Sequence, residues 1–284
     1  VVATRHAGSP SWLLLLAAAA NAIAAALTLL VPDILNGPAV MNGSARGTAL
    51  IMLVLGAPAL LLAMALRRQG SRWAPMLQLG ALAYLAYNSF LLLFATPFNR
   101  LFLVYVASMS ATAFALGWSV LRADAAAVAD RLPRTAARVI GGYILAIVVL
   151  NALLWLRTVV PATFADEPMS FLEGTGITTN PIFVQDLVFW LPSAAIIGWL
   201  MWTRRPWGAL LAGSYLVYGL LESIGVATDQ WMGSSADPQS TVATMGAVYI
   251  FGVLAVIGTV VLAYYVQSLR HEPARDGMAA AAIT

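Results

Sequence analysis

Long apolar runs separated by short polar segments dominate the chain. A helix needs roughly 20 mostly apolar residues to cross a bilayer, and eight runs approach or exceed that length: 11–31, 47–66, 74–95, 99–122, 137–159, 183–202, 207–228 and 242–267. Most are too long and continuous for buried helices of a soluble domain, and none alternates strictly as a barrel strand does. The pattern predicts an all-α integral membrane protein, an eight-helix bundle. Only Thr96, Pro97 and Phe98 separate the third run from the fourth, which predicts a tight helical hairpin. Pro32, Pro97 and Pro161 each follow a run, where proline ends a helix at little cost. Pro58 and Pro192 fall inside runs and predict kinks.

The order of the polar residues repeats. Asn21 precedes Pro32 much as Asn151 precedes Pro161. Pro58 leads to Arg67, Arg68 and Trp73, and Pro192 leads to Arg204, Arg205 and Trp207. The third run carries Tyr84 and Tyr87, the seventh Tyr215 and Tyr218; Val104 and Tyr105 match Val248 and Tyr249; Arg122 and Arg270 each follow a leucine at the close of a copy. This shared order predicts two four-helix repeats, 1–122 and 136–270, joined by a linker at 123–135 and followed by a tail at 271–284. Four crossings return the chain to its starting side. The two copies therefore share one orientation and are related by an axis along the membrane normal.

Composition agrees with the membrane reading. Hydrophobic residues make up 61% of the 284 and charged residues 10%, against about 25% charged in a soluble domain. Cysteine is absent, which excludes thiolate catalysis, disulfides and Cys-ligated metals. The basic residues are all arginine; with the abundant alanine this suggests a bacterial source. A net charge of +3 could point to nucleic acid, but the arginines sit in short segments between the runs, so no nucleic-acid partner is expected. With the N-terminus inside, Arg5, Arg67, Arg68, Arg72, Arg122, Arg131, Arg134, Arg138, Arg204, Arg205, Arg270 and Arg275 lie on the inner side, and only Arg46, Arg100 and Arg157 lie outside. The positive-inside rule then predicts a bacterial inner-membrane protein with both termini cytoplasmic. A cleaved signal peptide after Arg5 is the less favoured reading, because the first run is long enough to span.

Ionisable residues inside a span mark function by default. Arg157, Asp186 and Glu222 qualify, all in the second repeat and all at similar depth toward the outer face. Their counterparts in the first repeat, near Leu27, Met52 and Leu91, are apolar. The candidate ligand or ion-pathway residues are thus Glu222, Asp186, Arg157, Asn151, Tyr215, Tyr218 and Gln185. Each has a plainer reading. Asp186 complements a helix start capped by Asn180 with Pro181 first in the helix. Arg157 snorkels to headgroups. Asn21 and Asn151 bridge helices, and the tyrosines pack. Glu222 is expected to face the bundle interior, paired with Arg157 or protonated beside Tyr218, Tyr215 or Asn151.

The stretch T-N-P-I-F-V-Q-D-L-V-F-W-L-P at 179–192, with R-R-P-W-G at 204–208, resembles a recurrent pattern of uncharacterised bacterial polytopic membrane proteins. That resemblance implies a membrane span and no particular activity. No lysine is present for a retinal Schiff base, and His6 and His271 lie outside the runs, so no buried haem is expected. Protease, hydrolase, P-loop and Rossmann motifs are missing as well. No cofactor and no metal are predicted, although a carboxylate site for a hard cation stays open. A transporter or ligand-binding bundle for a small molecule or ion is the first reading. A non-catalytic subunit packed against a membrane protein partner is the second. A lipid-modifying enzyme using Asp186 or Glu222, beneath an acidic outer loop at 161–182, is the third.

Overall fold

The computed structural model of the protein describes residues 11–126 and 132–270. Arg5, His6, Arg131, His271, Arg275 and the tail lie outside the described residues, as does part of the expected linker. Among the described residues eight helices are long and apolar enough to cross a membrane: α1 Ser11–Leu30, α2 Ala39–Arg68, α3 Ala74–Phe94, α4 Phe102–Leu121, α5 Arg134–Thr163, α6 Pro181–Trp202, α7 Pro206–Ala236 and α8 Met245–Arg270. No strand occurs among the described residues. The protein is an all-α, eight-helix integral membrane bundle. The face where α1 starts and α8 ends is called here the near face, and the opposite one the far face.

Several helices outrun their apolar cores. α5 continues through Pro161 to Thr163, so this proline does not stop the helix as expected. Proline removes one backbone donor, and in the last turn that loss is small. α2 begins at Ala39, which places Arg46 inside the helix. α7 runs on from Thr228 through D-Q-W-M-G-S-S-A to Ala236. The polar ends of α2 and α7 hold helical form because they pack on each other. A Cβ on Gly43 would stand 2.5 Å from the Met232 carbonyl oxygen, and one on Gly47 would stand 2.6 Å from Asp229 Cα. Two glycines four apart on α2 thus let the backbones approach, as small residues do in membrane interfaces.

Pro58 and Pro192 are each preceded by a π-helical turn of five residues, Met52–Gly56 in α2 and Asp186–Trp190 in α6. The extra residue in such a turn frees backbone groups from the regular ladder, at a point where proline already withholds a donor.

One core fills the first four helices from end to end, from Leu13 and Met64 near one face to Leu92 and Leu101 near the other. Polar side chains clasp it. Asn21 donates to Thr112 Oγ1 at 2.6 Å and accepts from Ser89 Oγ at 2.8 Å, while the hydroxyls of Thr28 and Tyr105 meet at 2.8 Å. Asn21 therefore bridges helices, and its role is structural. Ser89 and Thr112 also bond the carbonyls of Leu85 and Ser108, so neither is orphaned when Asn21 is lost. Asn21→Leu is expected to cost only about 1–2 kcal/mol, the range of interhelical hydrogen bonds in membranes. Thermal unfolding in detergent checks this, and a chain that fails to fold would contradict it.

The second core is confined to the near-face side. It joins Ala136, Ala137, Ile140 and Ile144 of α5 to Ala194 and Met201 of α6, Ala209 to Leu216 of α7, and Tyr265 and Leu269 of α8. The α5–α6 contact is close there, since a Cβ on Gly141 would meet the Gly198 carbonyl oxygen at 2.9 Å.

Candidate functional site

α7 crosses the seam between the two halves and packs against α2 and α3 on one side and α6 and α8 on the other. Its helical period sets Tyr218, Glu222, Gly225 and Asp229 along one side. Glu222 stands near the midpoint of the 31-residue helix, deeper than the sequence suggested, because α7 does not end at Thr228. It faces the bundle interior. Asn88 Nδ2 of α3 donates to Glu222 Oε2 at 2.9 Å. The partner is thus an asparagine of the first half, neither Arg157 nor Asn151. Tyr218 is a close neighbour of Glu222. Glu222 and Asp229 are both half-buried.

Tyr84, one turn before Asn88 on α3, is fully buried. Its hydroxyl points at Gly225, where a Cβ would lie 3.1 Å away. Glu222 and Asp229 flank it on α7, yet the hydroxyl has no hydrogen-bond partner among the described residues. Asp229 Oδ1 accepts from its neighbour Gln230 at 2.9 Å, and Gln230 in turn accepts from the Thr244 backbone N–H.

Asp186 opens the π turn of α6 and is 5% exposed. Its Oδ2 accepts from Trp155 Nε1 of α5 at 2.7 Å, and the Tyr87 hydroxyl of α3 lies against the same carboxyl. The helix start that Asn180 caps, through the N–H groups of Ile182 and Phe183, is separate. Capping therefore does not account for Asp186. Gln185 beside it is 2% exposed, with its Nε2 unpartnered among the described residues. Between Asp186 and Glu222 lies an aromatic cluster. Trp190 stacks on Tyr218 at 4.9 Å and 8°, Tyr87 meets Trp190 edge-on at 5.4 Å, and Tyr215 lies 5.9 Å from Tyr218.

The remaining candidates lie elsewhere. Arg157 is exposed on α5 and is not part of the cluster. Asn151 of α5 has a buried Oδ1 without a partner among the described residues. Asp166, Glu167 and Glu173 of the far-face segment are exposed. Among the described residues no arginine bonds Asp186, Glu222 or Asp229, and no group of three or more acidic or histidine side chains is arranged to hold a metal.

The fold and this seam define a polytopic helical membrane protein with three acidic side chains on its spanning helices. No protein family, no curated protein and no solved structure matches the chain.

Asp229, Asn88 and the need of the Tyr84 hydroxyl for a partner are not legible in the sequence pattern. The apolar run ends at residue 228, so the pattern leaves Asp229 outside the seventh span; its seven-residue spacing from Glu222 is the available signal. Asn88 and the Tyr84 hydroxyl sit in a run where polar groups look like ordinary interhelical bridges, and nothing in that run names α7 as their neighbour.

Proposed function

We propose that the protein is a transporter-type ligand-binding bundle for a cation, with its site at the seam where α3 of the first half faces α7 of the second. The observation that carries this is the buried Tyr84 hydroxyl, left without a partner among the described residues between Glu222 and Asp229. A buried hydroxyl without a partner costs about 1–3 kcal/mol, which a bound water or ligand relieves. A carboxylate at the bilayer centre costs roughly 2.5–3.5 kcal/mol. One amide N–H from Asn88 offsets a part of that, and no arginine among the described residues supplies the rest. A proton or a bound cation neutralises the site, and exchange between the two is the elementary step of coupled transport.

Duplication fits the same reading. The two π turns fall at matching places before Pro58 and Pro192, with Met52 where the second copy has Asp186. Repeats 1–122 and 136–270 then form the two halves of a parallel-repeat transporter, with the acidic residues kept in one copy. The arginine distribution supports a cytoplasmic near face, and the lysine-free, alanine-rich composition supports a bacterial inner membrane.

The test uses the full chain in lipid nanodiscs and equilibrium binding of radiolabelled sodium and of tetraphenylphosphonium. One of the two cations is expected to bind, and Glu222→Gln to weaken it about tenfold or more, the equivalent of roughly 1.4 kcal/mol. Glutamine keeps an acceptor for Asn88, so the melting temperature should hold. Asp229→Asn should weaken binding in the same direction. Binding of neither cation, or undiminished binding by Glu222→Gln, overturns the reading.

A further inference from the structure

The route by which a ligand reaches Glu222 follows from a difference between the halves. In the first half α1 and α4 close on each other through Asn21 with Thr112 and Thr28 with Tyr105. The corresponding helices of the second half, α5 and α8, share a core only toward the near face. Past Ile144, α5 has no buried residue, and α8 has none before Gly258. Yet three of the four clasping residues recur, the exception being Thr112, which falls on Val256. The offset that carries Asn21 onto Asn151 carries Thr28 onto Thr158, and the one that carries Val104 onto Val248 carries Tyr105 onto Tyr249. Tyr105 is 1% exposed and bonded, whereas Tyr249 is 69% exposed, and Asn151 Oδ1 is buried without a partner among the described residues.

Space beside the site is open as well. Gly219 lies one turn before Glu222 on α7, and a Cβ there would meet nothing within 4 Å. The far-face end is covered instead. The segment between α5 and α6 buries Leu172 and Thr175, and a Cβ on Gly176 would stand 3.1 Å from Pro38. Toward the far face, α5 exposes Leu150, Leu153 and Leu154, and α8 exposes Ile250, Val253 and Ile257. A strongly hydrated ion would shed its water against such a flank at great cost. A cation whose charge is wrapped in apolar groups would not, and the rings of Trp190, Tyr215 and Tyr218 beside the acids offer it cation–π contacts.

We propose that the α5–α8 seam is a lateral gate, open in this structure, through which a lipophilic cation passes from the far leaflet to Glu222, and which closes by forming the clasp of Thr158 with Tyr249. The proposal rests on the reading that Glu222 receives a cation.

The chain has no cysteine, so the pair Thr158→Cys with Tyr249→Cys is a clean probe. The full-length double variant in nanodiscs is treated with a short thiol-reactive cross-linker, and tetraphenylphosphonium and sodium binding are followed in time. The linker is expected to join the pair, and the linked protein to take up tetraphenylphosphonium about tenfold more slowly or worse, with its melting temperature kept. Failure to link with or without tetraphenylphosphonium overturns the gate. Uptake at the unlinked rate overturns lateral access. Glu222-dependent binding of sodium with none of tetraphenylphosphonium overturns the lipophilic cation and leaves the seam site standing. Binding of neither removes both.

Discussion

Gly47→Leu is expected to prevent the two halves from docking and to abolish the folded, monodisperse protein. The three nearest atoms to the added Cβ are all backbone: Asp229 Cα at 2.6 Å, the Thr228 carbonyl oxygen at 2.7 Å and the Asp229 nitrogen at 2.9 Å. No rotamer change relieves such contacts, so α2 and α7 must move apart. Even alanine is expected to cost about 1–3 kcal/mol, as overpacking does in tight cores. Leucine also breaks the neighbouring contacts of Gly43 with Met232 and of Ser44 Oγ with the Asp229 carbonyl, which accepts at 3.3 Å. In lipid there is little hydrophobic drive to hold parted helices together, and close packing carries the association. The matched control is Gly117→Leu, where a Cβ meets nothing within 4 Å; there the helix gains roughly 1 kcal/mol in propensity. Size-exclusion profiles and melting curves of the two variants compare them directly. A Gly47→Leu protein that melts like the parent would refute the packing argument.

Gly219→Leu is the second substitution with a large expected effect, and the effect is opposite in kind. A side chain at this position enters open space one turn from Glu222, so stability should hold or rise by about 1 kcal/mol through helix propensity. Tetraphenylphosphonium binding should fall about tenfold or more, because leucine occupies the open space beside the carboxyl on the proposed lateral route. The pairing of preserved melting with lost binding separates a blocked passage from a damaged fold. Unchanged binding would mean that the space beside Gly219 is not on the route.

These two glycines show where sequence reading stops. Both lie in apolar helices, and both look alike in a chain with 22 glycines. Only the neighbour distinguishes them: a helix backbone at Gly47, nothing at Gly219. Arg157 and Asn88 make the same point for the charged residues. The chain offers Arg157 as the nearest cation in the outer half of a span, and an ion pair with Glu222 is the economical guess. The rotation of α5 turns Arg157 outward, and α3 brings Asn88 to the carboxyl instead.

The eight crossings, their boundaries to within a turn or two at most ends, the Asn180 cap and the bridging role of Asn21 follow from the sequence alone. They depend on local quantities, the length of an apolar run and the capping preference of one residue, and on the rule that a polar group buried in hydrocarbon must find a partner. The contacts of Glu222, Asp229 and Tyr84, the run of α7 past Thr228 and the lack of buried residues on α5 past Ile144 and on α8 before Gly258 were decided by tertiary structure. Each depends on which faces of two helices distant in sequence meet, and lipid-facing and protein-facing positions of a spanning helix are both apolar, so hydropathy does not record the choice.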